Sequence, residues 1–127
     1  RLDGGPHGHG FVIGSLDVDP TAWYFKAHFH QDPVTPGSLG LESFLQLLRV
    51  WAHERWGAAD SPLAYGNSIG EEHTWLYRGQ VLPSDGQVRV SAVITAVDER
   101  TRTVFADAYL GVDGRSIYRM IRFSLTW

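Results

Sequence analysis

The segment Ser38 to Trp56, SLGLESFLQLLRVWAHERW, limits what this chain can fold into more than any other stretch. Its apolar residues Leu39, Leu41, Phe44, Leu45, Leu47, Leu48, Val50, Trp51 and Trp56 recur at spacings that cover most of a helical circumference. The pattern predicts one long helix, largely buried and ended by Gly57. Such a helix cannot stand alone in water, so the rest of the chain must cover it.

The remaining patterns are β-like. Gly10 to Val18 alternates, with Val12, Leu16 and Val18 on one face. After the helix, GAADSPLAYGNSIGEE is rich in loop residues and reads as irregular. Strands are expected from His73 to Val81 and from Gln87 to Val97, the second with Val88, Val90, Ala92, Ile94 and Ala96 on one face. Asp113-Gly114 tolerates positive φ at both central positions of a two-residue turn, so Arg102 to Trp127 is expected to be a hairpin. Its second strand is expected to turn Ile117, Ile121, Phe123, Leu125 and Trp127 inward, with Arg119 as an interruption. One apolar helix and an antiparallel sheet with one apolar face need each other, which makes the class α+β with a sheet wrapped round a central helix.

Composition narrows the function. A formal charge of -3 with only isolated Lys and Arg residues lacks the basic footprint that nucleic acid or an anionic membrane surface requires. With no cysteine there is no disulfide, thiolate nucleophile or zinc-thiolate site, a composition compatible with the cytoplasm. No stretch approaches the length of a membrane-spanning helix. The opening RLDGGPHGHG has neither a signal peptide's apolar region nor an initiator Met, so residues 1–127 are read as a single domain taken from a longer chain.

The polar residues of the helix, Ser38, Glu42, Gln46, Arg49 and His53, fall at steps of four, four, three and four and form a single stripe. A solvated face accounts for Arg49 and His53. It accounts less well for Glu42, which sits among Leu39, Gly40, Leu41, Phe44 and Leu45. Gly40 costs roughly 1 kcal/mol against Ala in a helix, which points to a close approach by a strand or a ligand. Before the helix, Pro36-Gly37 leaves the amides of about Gly37 to Leu41 without helical acceptors at the positive end of the dipole, a possible oxyanion site. The plain alternative is an ordinary helix capped by Ser38. His28 and His30, two apart, also allow a metal pair that His7 and His9 could complete, although no third ligand stands at a fixed offset.

WYFKAHFHQDPVTPGSLGLESFLQLL, together with YRGQVLP, closely resembles the β-hydroxyacyl-ACP dehydratases of the β-hydroxydecanoyl type, with their HF-x-x-DPV-x-PG-x-LGL-[DE] signature. The chain looks most like the dehydratase domains of polyunsaturated fatty acid synthases and related iterative polyketide synthases, from about Gly10 to the C-terminus. The resemblance implies a hot-dog fold, no cofactor and no metal. It implies an acyl carrier protein bearing a 3-hydroxyacyl phosphopantetheine thioester as partner, and a homodimer or double hot-dog as the active unit. It puts the catalytic histidine on His28 and the catalytic acid on Glu42. The amide donor to the thioester carbonyl falls on Gly37, with Ser38, Val34 and Gln46 as further substrate-binding positions. Glu42 stands where the branch that also isomerises enoyl chains carries Asp, so dehydration alone is expected.

Those residue types suit the reaction. Dehydration needs a base for the C2 proton, donors for the enolate oxygen, and help for the departing hydroxyl. A neutral histidine fills the first role, amides at a helix start the second, and Glu42 the third, provided that its Leu and Phe neighbours bury it enough to make it a proton donor. Two other readings stand beside this one. The first is a non-catalytic hot-dog half that shapes an acyl tunnel for a catalytic partner; the second is a hot-dog thioesterase that uses a carboxylate to activate water.

Overall fold

The computed structural model describes residues 1–58, 66–68 and 70–127. In chain order the elements are β1 (Phe11–Asp17), α1 (Tyr24–Ala27), α2 (Gly37–Trp56), β2 (Gly66–Asn67), β3 (Thr74–Tyr77), β4 (Gln87–Asp98), β5 (Thr103–Val112) and β6 (Arg115–Thr126). The strands make one antiparallel sheet in the order β1-β4-β5-β6-β2, and β3 pairs with β6 as well. Half of the stretch read as irregular after the helix, 59–65 and 69, lies outside the described residues, and Gly66–Asn67 within the other half forms β2 rather than loop.

Helix α2 is the expected long helix, begun one residue earlier, and Gly57 ends it at φ 82° with its N–H donating to His53 O at 2.8 Å. Its Gly40, Phe44, Leu47, Leu48, Trp51 and Ala52 are buried against β1, β4, β5 and β6. The start of the helix differs from the plain expectation: Pro36, not Ser38, is the N-cap, and no side chain caps it. Proline pre-sets a φ of -53° there but brings no side-chain acceptor. Leu39 N–H turns back to Pro36 O at 3.0 Å, so the Gly37 and Ser38 amides are the ones left for something outside the helix.

The hairpin turn forms as expected, with Asp113 at φ 48° and Gly114 at φ 81°. The Asp113 carboxylate then accepts the Gly86 and Gln87 amides at 2.9 and 2.8 Å, tying the hairpin tip to the start of β4.

Two strands change face partway along. In β4 the register shifts between Ile94 and Ala96, so Ala96 is exposed and Val97 packs inward. In the β5–β6 pairing a shift between Ala106 and Ala108 comes with φ 54° at Arg122, whose N–H donates to the Asp107 carboxylate at 2.9 Å instead of to a ladder carbonyl. Ahead of this bulge Tyr118 and Met120 face the core, and beyond it Phe123 and Leu125 do. Arg119 therefore points outward, and Ile121 is only partly buried. Each bulge inserts one residue and reverses the phase of everything after it.

Strand β3 is also shorter than expected. After Tyr77 the chain presses Gly79 against Ile117, where a Cβ would come within 2.8 Å of Cγ2. Val81, which is buried, then takes the Thr35 amide on its carbonyl at 2.9 Å. The segment leaves the sheet to brace the approach to α2.

Candidate active site

His28 closes the single turn of α1, with its N–H on Tyr24 O at 3.0 Å. Its imidazole is exposed and lies 4.1 Å, centroid to centroid, from the Phe29 ring. Among the described residues it makes no hydrogen bond or ion pair, which leaves both ring nitrogens free for a ligand. Phe25 and Val34, 4% and 2% exposed, anchor the segment on either side of it. Gln31, at φ 59°, makes the turn between the two anchors.

Gly37 is the first residue of α2, and it has company that the motif did not announce. A Cβ on it would lie 3.2 Å from Trp75 Cη2 and 3.3 Å from Tyr77 Cε2, so two aromatic rings of β3 cover this glycine. Any side chain there would push the rings away from the helix start. Tyr77 stacks in turn on Tyr118 at 4.7 Å, and the Cδ2–Cε2 edge of Tyr118 lies against Gly40. Gly40 is thus the close-approach glycine expected from the sequence, and the approaching group is a tyrosine ring of β6. The i, i+2 aromatics Trp75 and Tyr77 were the one visible sign of this cover.

Glu42 lies in the polar stripe. Its Oε1 accepts Arg49 Nη1 at 2.6 Å and Gln46 Nε2 at 2.7 Å, and its side chain is 43% exposed. The burial expected for a proton donor is not found in the single chain. Phe44 turns to the opposite side of the helix and is buried, while Leu39 on Glu42's own side is 38% exposed, which leaves the carboxylate among the Gln46 and Arg49 donors. Ser38 is exposed and Gln46 is held by Glu42.

A cavity of ≈ 400 Å³ lies between the first half of α2 and the sheet. Leu39, Gly40 and Leu47 form its helical wall and Val90 part of its sheet wall; Tyr24 and Thr35 contribute from the segment that carries His28 and precedes Gly37. Of the expected site residues only Gln46 reaches this wall; His28, Val34, Gly37, Ser38 and Glu42 do not. His28 nevertheless follows Tyr24 by one helical turn, and Gly37 stands between Thr35 and Leu39, so both flank the cavity. Glu42 does not line it but stands at its edge: Leu39 and Gln46, three residues before it and four after, both line the cavity, and Gln46 is bonded to its Oε1.

Tyr118 completes the wall. It is 1% exposed, and burial, with the neighbouring Tyr77 phenol, pushes its pKa up, so that it remains a protonated donor. The two phenols are close enough to influence each other, but their geometry is not that of a hydrogen bond, and the Tyr118 hydroxyl is without a partner among the described residues. His7 and His9 sit elsewhere: the His9 carbonyl accepts Trp51 Nε1 at 3.2 Å, near the far end of α2. Among the described residues no three His, Cys, Asp or Glu side chains gather in a metal-binding group, and no helix is long and apolar enough to cross a membrane.

A long helix laid on one face of an antiparallel sheet with this strand order is the hot-dog fold, and solved structures of that class share it. The fluoroacetyl-CoA thioesterase FlK superposes with a TM-score of 0.64 at 14% identity, covering 98% of this chain and 88% of its own. The (R)-hydratase from A. caviae involved in PHA biosynthesis gives 0.60 at 11% identity, covering 92% and 93%. The dehydratase heterocomplex ApeI:P from Xenorhabdus doucetiae gives 0.65 at 16% identity, covering 91% and 74%. At these identities the likeness is one of fold. The sequence goes further: the FabA-like domain family model matches residues 1–121, and the chain belongs to that family.

Proposed function

We propose that this domain dehydrates 3-hydroxyacyl thioesters held on an acyl carrier protein to trans-2-enoyl thioesters, as one domain of a longer fatty acid or polyketide synthase. The observation that carries the proposal is the apolar cavity lined by Tyr24, one helical turn before His28, and by Thr35 and Leu39 on either side of Gly37 in the chain, in a FabA-like domain. His28, with no competing partner, removes the C2 proton. The carbonyl oxygen gains charge and is met by the Gly37 amide at the uncapped, positive end of α2. The C3–O bond then breaks, and the departing hydroxide takes its proton from the Glu42 carboxyl to leave as water. Ser38, Val34 and Gln46 shape the approach to that centre: Val34 anchors the segment, Ser38 lines its exposed side and Gln46 orients Glu42.

Glu42 serves the leaving hydroxyl. Its side chain is 43% exposed in the single chain, and a second hot-dog unit packed over it supplies the missing burial, which makes the working unit a homodimer or a double hot-dog. The Arg49 contact favours a second reading, in which Glu42 acts as a base on water and the thioester is hydrolysed.

In deuterated water, Glu42→Gln is expected to lose dehydration by roughly 100-fold or more while still exchanging deuterium into C2, and His28→Asn is expected to lose both. A folded His28→Asn protein that dehydrates at near the native rate would remove His28 as the base and make His30 the residue to test.

A further inference from the structure

The cavity has a closed far end, and one row of the sheet makes it. Away from the hairpin tip, its sheet lining stops at Gly14 on β1, Val90 on β4, Leu110 on β5 and Tyr118 on β6. These four are cross-strand partners: Gly14 pairs with Val90, Val90 with Leu110, and Leu110 with Tyr118. On the helix the last lining residue is Leu47. Past this boundary Ala92, Ala108, Met120 and Trp51 are all buried and fill the space between α2 and the sheet. The near end lies by the reacting groups, since Leu39 follows Gly37 by two residues and Tyr24 precedes His28 by one turn. Leu39 to Leu47 is about 12 Å along the helix axis, and Val18 to Gly14 is about 13 Å of extended chain.

Gly14 is the one member of the end row without a side chain. Its neighbours on the same face of β1, Val12 and Leu16, are aliphatic, and it does not have the positive φ that would call for glycine. A glycine inside a strand weakens it, so the position is open for the sake of space. A Cβ there would point at the end of the cavity, 3.3 Å from Leu47 Cδ2 and 3.4 Å from Val90 Cγ2. We infer that Gly14 sets the length of acyl chain that the cavity accepts. This inference rests on reading the cavity as an acyl site, with the chain beyond C3 running from Leu39 to Leu47. An extended chain advances about 1.2 Å per bond, so a tail of roughly ten carbons reaches the end row.

The test uses acyl-pantetheine thioethers, which lack the reactive carbonyl and require no turnover, with unbranched tails lengthened one carbon at a time. Binding is measured by titration calorimetry on the whole chain. For the native protein, affinity should rise about 4-fold with each added carbon and level off at roughly ten tail carbons. Gly14→Val should bring the levelling-off forward by about two carbons and Gly14→Ala by about one, matching the bonds added beyond Cα, while shorter tails bind as in the native protein. Gly14→Ala carries the test if the valine protein does not fold. A levelling-off point that stays where it was, or a loss equal for tails of every length, overturns the role of Gly14 and leaves the acyl site standing on the native length series. Native affinity that does not grow with tail length overturns the acyl reading of the cavity, and the role of Gly14 with it.

Discussion

Replacing Gly40 with alanine separates helix propensity from tertiary packing at the centre of the site. In an isolated helix the change would stabilise by about 1 kcal/mol. Here the new Cβ would stand 2.7 Å from Tyr118 Cδ2, nearer still to Cε2, and 3.4 Å from Leu110 Cδ1. Tyr118 is 1% exposed and backed by the stacked Tyr77 ring, so it yields only by moving into the cavity or by pushing α2 off the sheet. Overpacking of this kind costs roughly 1–3 kcal/mol, and two ring contacts this short put it at the upper end. The net is about 2 kcal/mol of destabilisation, a fall in Tm of roughly 6–10 °C for a chain of this size. Urea unfolding followed by circular dichroism, at one protein concentration so that association is held constant, measures it directly. Combining Gly40→Ala with Tyr118→Leu should recover most of the loss, since the obstructing ring is gone. If Gly40→Ala is instead about 1 kcal/mol more stable than the native protein, Tyr118 does not lie on Gly40, and the cavity wall described above is wrong.

Three further outcomes follow from the same structure. Hydrogen bonds hold the pKa values of four exposed carboxylates down: backbone amides of Gly86 and Gln87 for Asp113, the Trp56 indole and Arg55 for Glu99, Thr101 for Asp98 and Thr21 for Asp19. A depressed value stabilises the fold above the ordinary 3.8 to 4.5 and loses that contribution as the pH falls through the folded values, so the urea midpoint should drop on acidification below about pH 4. Asp113→Asn should flatten that acid limb, and an unchanged limb would contradict the assignment. Mixing His28→Ala chains with Glu42→Gln chains should restore part of the activity through hybrid sites; no recovery in hybrids shown to form would mean that each site is built within one unit. Activity should survive strong chelators with no stoichiometric zinc in the purified protein, whereas zinc that tracks activity would displace His28 as a free base.

What the sequence made visible was local. The helix from Ser38 to Trp56 and the turn at Asp113-Gly114 are written in contiguous residues, and both stand almost as expected. On β6 the reading held for Ile117, Phe123, Leu125 and Trp127, but the burial of Tyr118 and Met120 was not visible, because period-two alternation carries no mark of an inserted residue; Arg122 and Asp107 reset the phase by exchanging a ladder bond for a side-chain bond. The same limit applied at Ile94 and Ala96. At the site, a single motif carried His28, Gly37 and Glu42, and the spacing of the stripe anticipated the Glu42, Gln46 and Arg49 network. It did not anticipate that Glu42 stays 43% exposed, with Gln46 alone of this stripe lining the cavity. The aromatic cover on Gly37 and the hydroxyl of Tyr118 come from β3 and β6, dozens of residues away, and only the folded sheet brings them to α2.

The most direct test of dehydration uses a 3-hydroxyacyl pantetheine thioester and follows two signals in one cuvette: ultraviolet absorbance of a conjugated enoyl thioester, and free thiol trapped by a chromogenic disulfide. The account predicts that absorbance rises with the protein and no thiol appears, that Glu42→Gln and His28→Asn each suppress the rise, and that the enoyl thioester is partly hydrated back when offered alone. Release of thiol without conjugated product would contradict dehydration and leave Glu42 as the water-activating base of a thioesterase.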